Sequence, residues 1–343
     1  MKCPFTKNSA HIHHKGFMYP CTVSDLDYGK MGKVCNDKFE DVFKHKLNVS
    51  NEMCYRCIEN ERDGNVSFSR WKNDETEEFY FLDIRLDNNC NFKCISCNGK
   101  NSISFKTEDD TTHYTSLYKH LVKNIDFIKK FKRVYIGGGE PFLATEILSF
   151  LKMLNSEQEI LISSNISVLK MDVIEELKRF KDVIFYPSID HINEKGAYIR
   201  FGFNQSTFDK NFDFLNSTFK CVPVVTVSAL NVHNLDNIIN HLSNFTNRDN
   251  IYLNILDFPK SMHVSVLPKI LKAKAVSALN SIIESSNSDF IIDAPYNIYK
   301  GARLLLKKIN PDNTMLFDEL INSLKEKDEL RNNSYKILYD GII

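Results

Sequence analysis

The stretch FYFLDIRLDNNCNFKCISC, residues 79–97, runs from an apolar segment straight into three cysteines, Cys90, Cys94 and Cys97. Its first eight residues, FYFLDIRL, predict a buried strand, so the C-x3-C-x2-C triplet falls at the strand's C-terminal end. Similar runs begin at Arg133 (RVYIGG), Glu159 (EILISSN), Val183 (VIFYPSID), Val222 (VPVVTVSAL) and Ile251 (IYLNIL). Amphipathic stretches such as LYKHLVKNIDFIKKF (117–131) and MDVIEELKRF (171–180) lie between them. Buried strands alternating with helices predict parallel pairing through right-handed crossovers. Six such units predict an α/β fold, an open partial (β/α)6 TIM-like barrel over residues 79–260; a full eight would need more chain. A small cysteine-rich segment (1–78) precedes the barrel, and a helical extension (261–343), with stretches such as LPKILKAKAVSALNSIIES, follows it.

Composition narrows the function classes. The chain has 343 residues, 43% hydrophobic and 26% charged, with 44 Lys and Arg against 44 Asp and Glu. That balance supplies no cationic excess for nucleic acid or an anionic membrane. The opening MKCPFTKNSA lacks an apolar signal core, and no run approaches the ~20 apolar residues of a membrane span. The expected setting is the cytoplasm, where thiols stay reduced. The nine cysteines therefore point to metal or redox chemistry before disulfides.

Parallel β/α folds place their chemistry at the C-terminal ends of the strands, where the triplet lies. Three thiolates in so tight a loop can converge on one small inorganic group. Structural zinc calls for a fourth protein ligand, whereas an iron–sulfur cluster with three protein thiolates keeps one iron open. The second strand ends in RVYIGGGEPFL (133–143). Glycines there would let a ligand approach the backbone, and Glu140 could accept hydrogen bonds from a ligand ammonium. A zinc loop and a plain tight turn are the simpler alternatives for these two motifs.

Together the motifs resemble those of radical S-adenosylmethionine (SAM) enzymes. Cys90, Cys94 and Cys97 match the three-cysteine motif of that superfamily, and Gly138-Gly139-Glu140 match its GGE motif. The resemblance implies a [4Fe-4S] cluster whose open iron binds SAM, reductive cleavage of SAM to methionine and a 5′-deoxyadenosyl radical, and hydrogen abstraction from a substrate. It also implies an electron donor such as flavodoxin or ferredoxin, and a small polar metabolite or a peptide as substrate. Ser164 and Asn165 in SSNIS, and Ser188 and Arg200 in SIDHINEKGAYIR, resemble polar SAM contacts of related enzymes. One departure is Ser96, at a position that is commonly aromatic.

Four cysteines precede the barrel: Cys3, Cys21, and the C-x2-C pair Cys54 and Cys57. HIHHKGFMYPC (11–21) reads as a hairpin turning near Lys15-Gly16. The order resembles SPASM/twitch proteins with an auxiliary segment ahead of the barrel, which implies a second [4Fe-4S] cluster on Cys3, Cys21, Cys54 and Cys57. A zinc knuckle uses the same four thiolates. His11, His13 and His14 read as hairpin side chains, Cys221 as a small core residue, and Cys35 as a spare thiol. The competing class is a zinc-binding, non-catalytic scaffold on a degenerate barrel. Colour separates the two, since cubane clusters make a protein brown.

Overall fold

The computed structural model describes residues 3, 5–22, 30–34, 38–44, 52–62, 78–99, 101–105, 117–285 and 298–343. Cys35 lies outside the described residues. The strands are β1 (Ser9–Ile12), β2 (Phe17–Tyr19), β3 (Gly32–Lys33), β4 (Phe81–Arg85), β5 (Lys93–Cys94), β6 (Arg133–Gly137), β7 (Glu159–Ser164), β8 (Asp182–Pro187), β9 (Arg200–Phe201), β10 (Lys220–Cys221), β11 (Val224–Val227) and β12 (Tyr252–Ile255). All six strands expected from the apolar runs are present, as β4, β6, β7, β8, β11 and β12. The result is a mixed α/β fold with a largely parallel central sheet and a helical C-terminal region. No helix among the described residues is long and apolar enough to cross a membrane.

The chain packs as two compact units, residues 1–91 with 97–186, and residues 92–96 with 187–343. In the first unit the strand order is β8-β7-β6-β4-β1-β2-β3. β4 pairs in parallel with β6, and β6 with β7. Alternation along these strands sends Leu82, Ile84, Val134, Ile136, Ile160 and Ile162 to one face, where all are buried. That unbroken aliphatic layer supplies the hydrophobic drive for the sheet.

The expected hairpin is present: His11 faces Tyr19 and Ile12 faces Met18 in an antiparallel pair, and Gly16 takes a positive φ of 75° at the turn. Its first strand also pairs in parallel with β4, Ser9 to Phe81 through Ile12 to Ile84. The N-terminal strands β1, β2 and β3 thus extend the central sheet.

The second unit holds two small ladders, parallel β11–β12 and antiparallel β5–β9. Its helices include Lys269–Glu284, Ile298–Ile309 and Phe317–Arg331. They bury Leu271, Leu279, Ile282, Leu305 and Leu320, spaced as a helix's inward stripe requires.

Candidate active site

Three strand ends of the first unit meet around one carboxylate. The Glu140 side chain follows β6 and is 1% exposed. Its Oε1 accepts hydrogen bonds from Ser164 Oγ (2.7 Å) and the Phe142 amide (3.2 Å), and its Oε2 accepts from the Asn165 amide (2.7 Å). Asn165 Nδ2 donates to Asn91 Oδ1 at 3.0 Å, and Asn91 Nδ2 donates to Ser167 Oγ at 2.8 Å. Ser167 Oγ returns the chain to Asn165 Oδ1 at 2.7 Å. Ile166, at a positive φ of 48°, makes the sharp bend inside this loop, and its amide donates to Ser164 Oγ. The loop after β4, the glycine run after β6 and SSNIS after β7 are thus joined into one polar network.

The glycines let another segment of the chain approach the backbone closely. A Cβ on Gly139 would stand 2.0 Å from the Asn89 carbonyl oxygen, and one on Gly138, whose φ is +134°, would stand 2.5 Å from that of Asp87. The Glu140 amide donates to the Asn89 carbonyl at 2.6 Å, and the Gly139 amide to that of Asp87 at 3.4 Å. Bare glycine backbone lets the cysteine-bearing loop close against β6. The ligand that crowds this run is the protein's own chain. Glu140 likewise accepts hydrogen bonds from Ser164, Asn165 and Phe142.

Of the triplet, Cys90 and Cys97 belong to the first unit and Cys94 to the second. All three are partly accessible, and Ser104 Oγ donates to the Cys90 carbonyl at 2.6 Å. In the second unit Cys94 stands opposite Arg200 in the β5–β9 ladder. Arg200 sits just past the helix Asn193–Ile199, 12% exposed at its side chain, with Nη1 3.1 Å from Asp190 Oδ2. Asp190 Oδ1 accepts from the Thr226 amide at 3.0 Å. Ser188 pairs with Val224 in an isolated parallel bridge. The structure therefore brings Glu140, Ser164 and Asn165 together, and separately Cys94 and Arg200.

The amino-terminal thiols Cys3, Cys21, Cys54 and Cys57 are all buried. Burial pushes the Cys54 thiol up to about 11, and the neighbouring Cys57 and Cys3 push it the same way. Cys3 and Cys21 share an apolar cluster with Tyr80, Phe81 and Leu161. Cys221 is buried, and burial raises its thiol to about 12, as befits a core residue. Among the described residues, no three His, Cys, Asp or Glu side chains stand close enough to ligate one ion. In both sets the donor chemistry suits an iron–sulfur group. Drawing thiolates onto it would couple binding to local folding.

Sequence reasoning missed a second polar group on the first unit's sheet. His11, Asp83, Tyr135 and Leu161 are successive cross-strand neighbours on one face. Asp83 is fully buried; Arg85 Nη2 donates to its Oδ2 at 2.9 Å. His11 Nδ1 approaches the same oxygen at 3.0 Å. Burial pushes the Asp83 carboxyl up, but Arg85 and His11 outweigh it and bring it down to about 2. The Arg85 guanidinium lies 5.3 Å over the Tyr135 ring, and a Cβ on Gly137 would stand 2.2 Å from its Nη1. The signal was available as alternation: Asp83 and Arg85 share a face with His11, opposite the aliphatic layer. His13 and His14 are also buried, with rings 4.0 Å apart. Burial, and then the charges of His14 and His11, hold His13 down at about 2.

Comparisons with known proteins agree in direction. Residues 84–243 match the family described as the radical SAM superfamily. A GTP 3′,8-cyclase of Campylobacter jejuni subsp. doylei is 27% identical over 120 residues, 34% of this chain and 37% of the relative. A GTP 3′,8-cyclase of Clostridium botulinum is 24% identical over 233 residues, 66% of this chain and 69% of the relative. The chain thus spans little more than a third of the Campylobacter protein's length. A solved structure described as native anSMEcpe with bound AdoMet aligns over 60% of each chain at 13% identity and a TM-score of 0.45.

Proposed function

Because residues 84–243 match the radical SAM superfamily, we propose that this chain binds SAM at a [4Fe-4S] cluster and abstracts hydrogen from a peptide or small polar metabolite. When bound, the cluster supplies one electron that cleaves SAM to methionine and a 5′-deoxyadenosyl radical. Cys90, Cys94 and Cys97 would hold it. Gly138, Gly139, Glu140, Ser164 and Asn165 would be SAM contacts, and so would Ser188 and Arg200. Arg200 suits a carboxylate, since a guanidinium grips one through two parallel hydrogen bonds.

The observation that carries this reading is the Glu140 network. A buried carboxylate that organises Ser164, Asn165 and, through Asn91, the residue next to Cys90 is a costly arrangement for a plain turn. Preorganised strand ends are what a radical enzyme needs, because fixed reactants limit side reactions. Arg85 and Tyr135 on the polar face of β4 and β6 favour a polar substrate over a lipid. Cys3, Cys21, Cys54 and Cys57 would hold an auxiliary [4Fe-4S] cluster in an N-terminal segment of residues 1–78. The electron would come from a flavodoxin or ferredoxin.

The test uses protein purified without oxygen and supplied with dithionite and SAM. The chain should form 5′-deoxyadenosine, and Cys94→Ala, which removes one of three thiolate ligands, should form none. Undiminished 5′-deoxyadenosine from the variant would refute the assignment.

A further inference from the structure

The helix Phe317–Arg331 ends on a cation for which the chemistry above has no use. Arg331 Nη2 donates to the Lys93 carbonyl at 2.6 Å, the peptide group that leads into Cys94. Its Nη1 reaches the Tyr198 carbonyl at 3.4 Å, and its guanidinium lies 5.1 Å over the Phe201 ring. Phe201 faces Lys93 across the β5–β9 ladder. These contacts all lie within the second unit, and they seat the guanidinium on the strand that carries Cys94.

The charge is not neutralised there. Asp328, one helical turn earlier, is where an ion-pair partner would be expected. Its Oδ1 instead accepts from the Tyr198 hydroxyl at 2.6 Å and its Oδ2 from the Tyr335 amide at 2.7 Å. Among the described residues no carboxylate lies within ion-pair distance of Arg331. Arg200, the other arginine at this ladder, is matched by Asp190 at 3.1 Å. Burial pulls the Arg331 pKa down, while Tyr198, Cys94 and Asp328 push it up, so Cys94 is within its electrostatic reach. A guanidinium keeps its proton in proteins, so the positive charge is permanent.

We propose that Arg331 is a positioning residue that sets the reduction potential of the cluster held through Cys94, making that cluster easier to reduce than its three thiolates alone would allow. The proposal rests on the Cys94 ligation put forward above. Reduction adds one electron, taken from dithionite or the donor protein, with no bond made or broken. A fixed cation beside a ligand favours the more negative, reduced state. Net charge and hydrogen bonding around the ligands are the terms that set such potentials. A cation at a helix C-terminus also stabilises the helix dipole, but that role alone would change stability and leave the potential untouched.

The experiment is a redox titration of the reconstituted full chain followed by electron paramagnetic resonance, reading the signal that changes when SAM is added. Arg331→Gln and Arg331→Met should assemble the cluster with a midpoint shifted to more negative potential. Arg331→Lys, which keeps the charge, should stay nearer the parent than either. A neutral variant with native iron content and the parent midpoint overturns the proposal. Failure of all three variants to fold overturns it too, because Arg331 is then a clamp for the helix. Absence of any SAM-responsive signal in the parent refutes the radical SAM reading itself, a different outcome from an unmoved midpoint.

Discussion

Replacing Glu140 by glutamine tests whether the strand ends are held by one carboxylate. The side chain keeps its shape, but one oxygen becomes an NH2 group. If the nitrogen takes the Oε2 position, it faces the Asn165 amide, donor against donor. If it takes the Oε1 position, the Phe142 amide loses its acceptor, and Ser164 Oγ must turn to accept while already accepting from Ile166. Either way a buried amide is left unsatisfied at a residue 1% exposed. Losing the charge on a hydrogen-bonded carboxylate and stranding one donor together cost about 2–4 kcal/mol. Urea unfolding of the cluster-free protein, read against the parent at equal slope, should show that loss. Hydrogen exchange should quicken at the Asn165 amide. SAM binding should weaken as well, as a consequence of the loosened loops. An unchanged unfolding midpoint with unchanged protection at Asn165 would refute the reasoning and return Glu140 to the role of a direct ligand contact.

Other outcomes follow from the same geometry. Gly139→Ala forces a methyl group into the Asn89 carbonyl, a backbone atom that cannot swing aside, so it should lower stability by about 1–3 kcal/mol and abolish 5′-deoxyadenosine formation; thermal unfolding and product chromatography check both. Asp83 titrates near 2 when folded against 3.8 when free, so its stabilisation is full above about pH 4 and disappears as the pH falls from 3.8 towards 2. Asp83→Asn should therefore remove about 2 kcal/mol of the stability difference between those limits, seen as a flatter dependence of the urea midpoint on pH. The double change Cys54→Ala with Cys57→Ala should lower iron from about eight to about four per chain while SAM cleavage persists; an unchanged count by Mössbauer spectroscopy would end the two-cluster proposal.

Much of the fold could be read directly because it is written locally. Each expected strand is a short apolar run bounded by polar residues, and each appears within a few positions of its expected start. The cysteine triplet and the glycine run were visible for the same reason: both are contiguous. What the sequence concealed depends on pairing between distant segments. Nothing in SAHI, residues 9–12, says that it will lie beside FLDIR, residues 81–85, because a four-residue strand carries too little pattern to choose its neighbour. That pairing set His11 beside the buried Asp83. Glu140 was legible as a functional residue but not as an organising one, since its partners are 24 and 25 positions away. Arg331 was invisible because its partner Lys93 is 238 residues distant.

Two successive amides, those of Gly139 and Glu140, rest on two carbonyls of the segment between Arg85 and Cys90, those of Asp87 and Asn89. That segment therefore acts as a ruler. Each residue of extended chain measures about 3.3 Å, so inserting or deleting one between positions 86 and 89 would carry Cys90 past its station by roughly the length of a hydrogen bond. Side chains at Asn88 can vary within the space around them, but the count of residues cannot. Library design around this loop should hold its length constant and randomise only identity, and natural relatives that share the glycine contact should differ here by substitution and never by a gap.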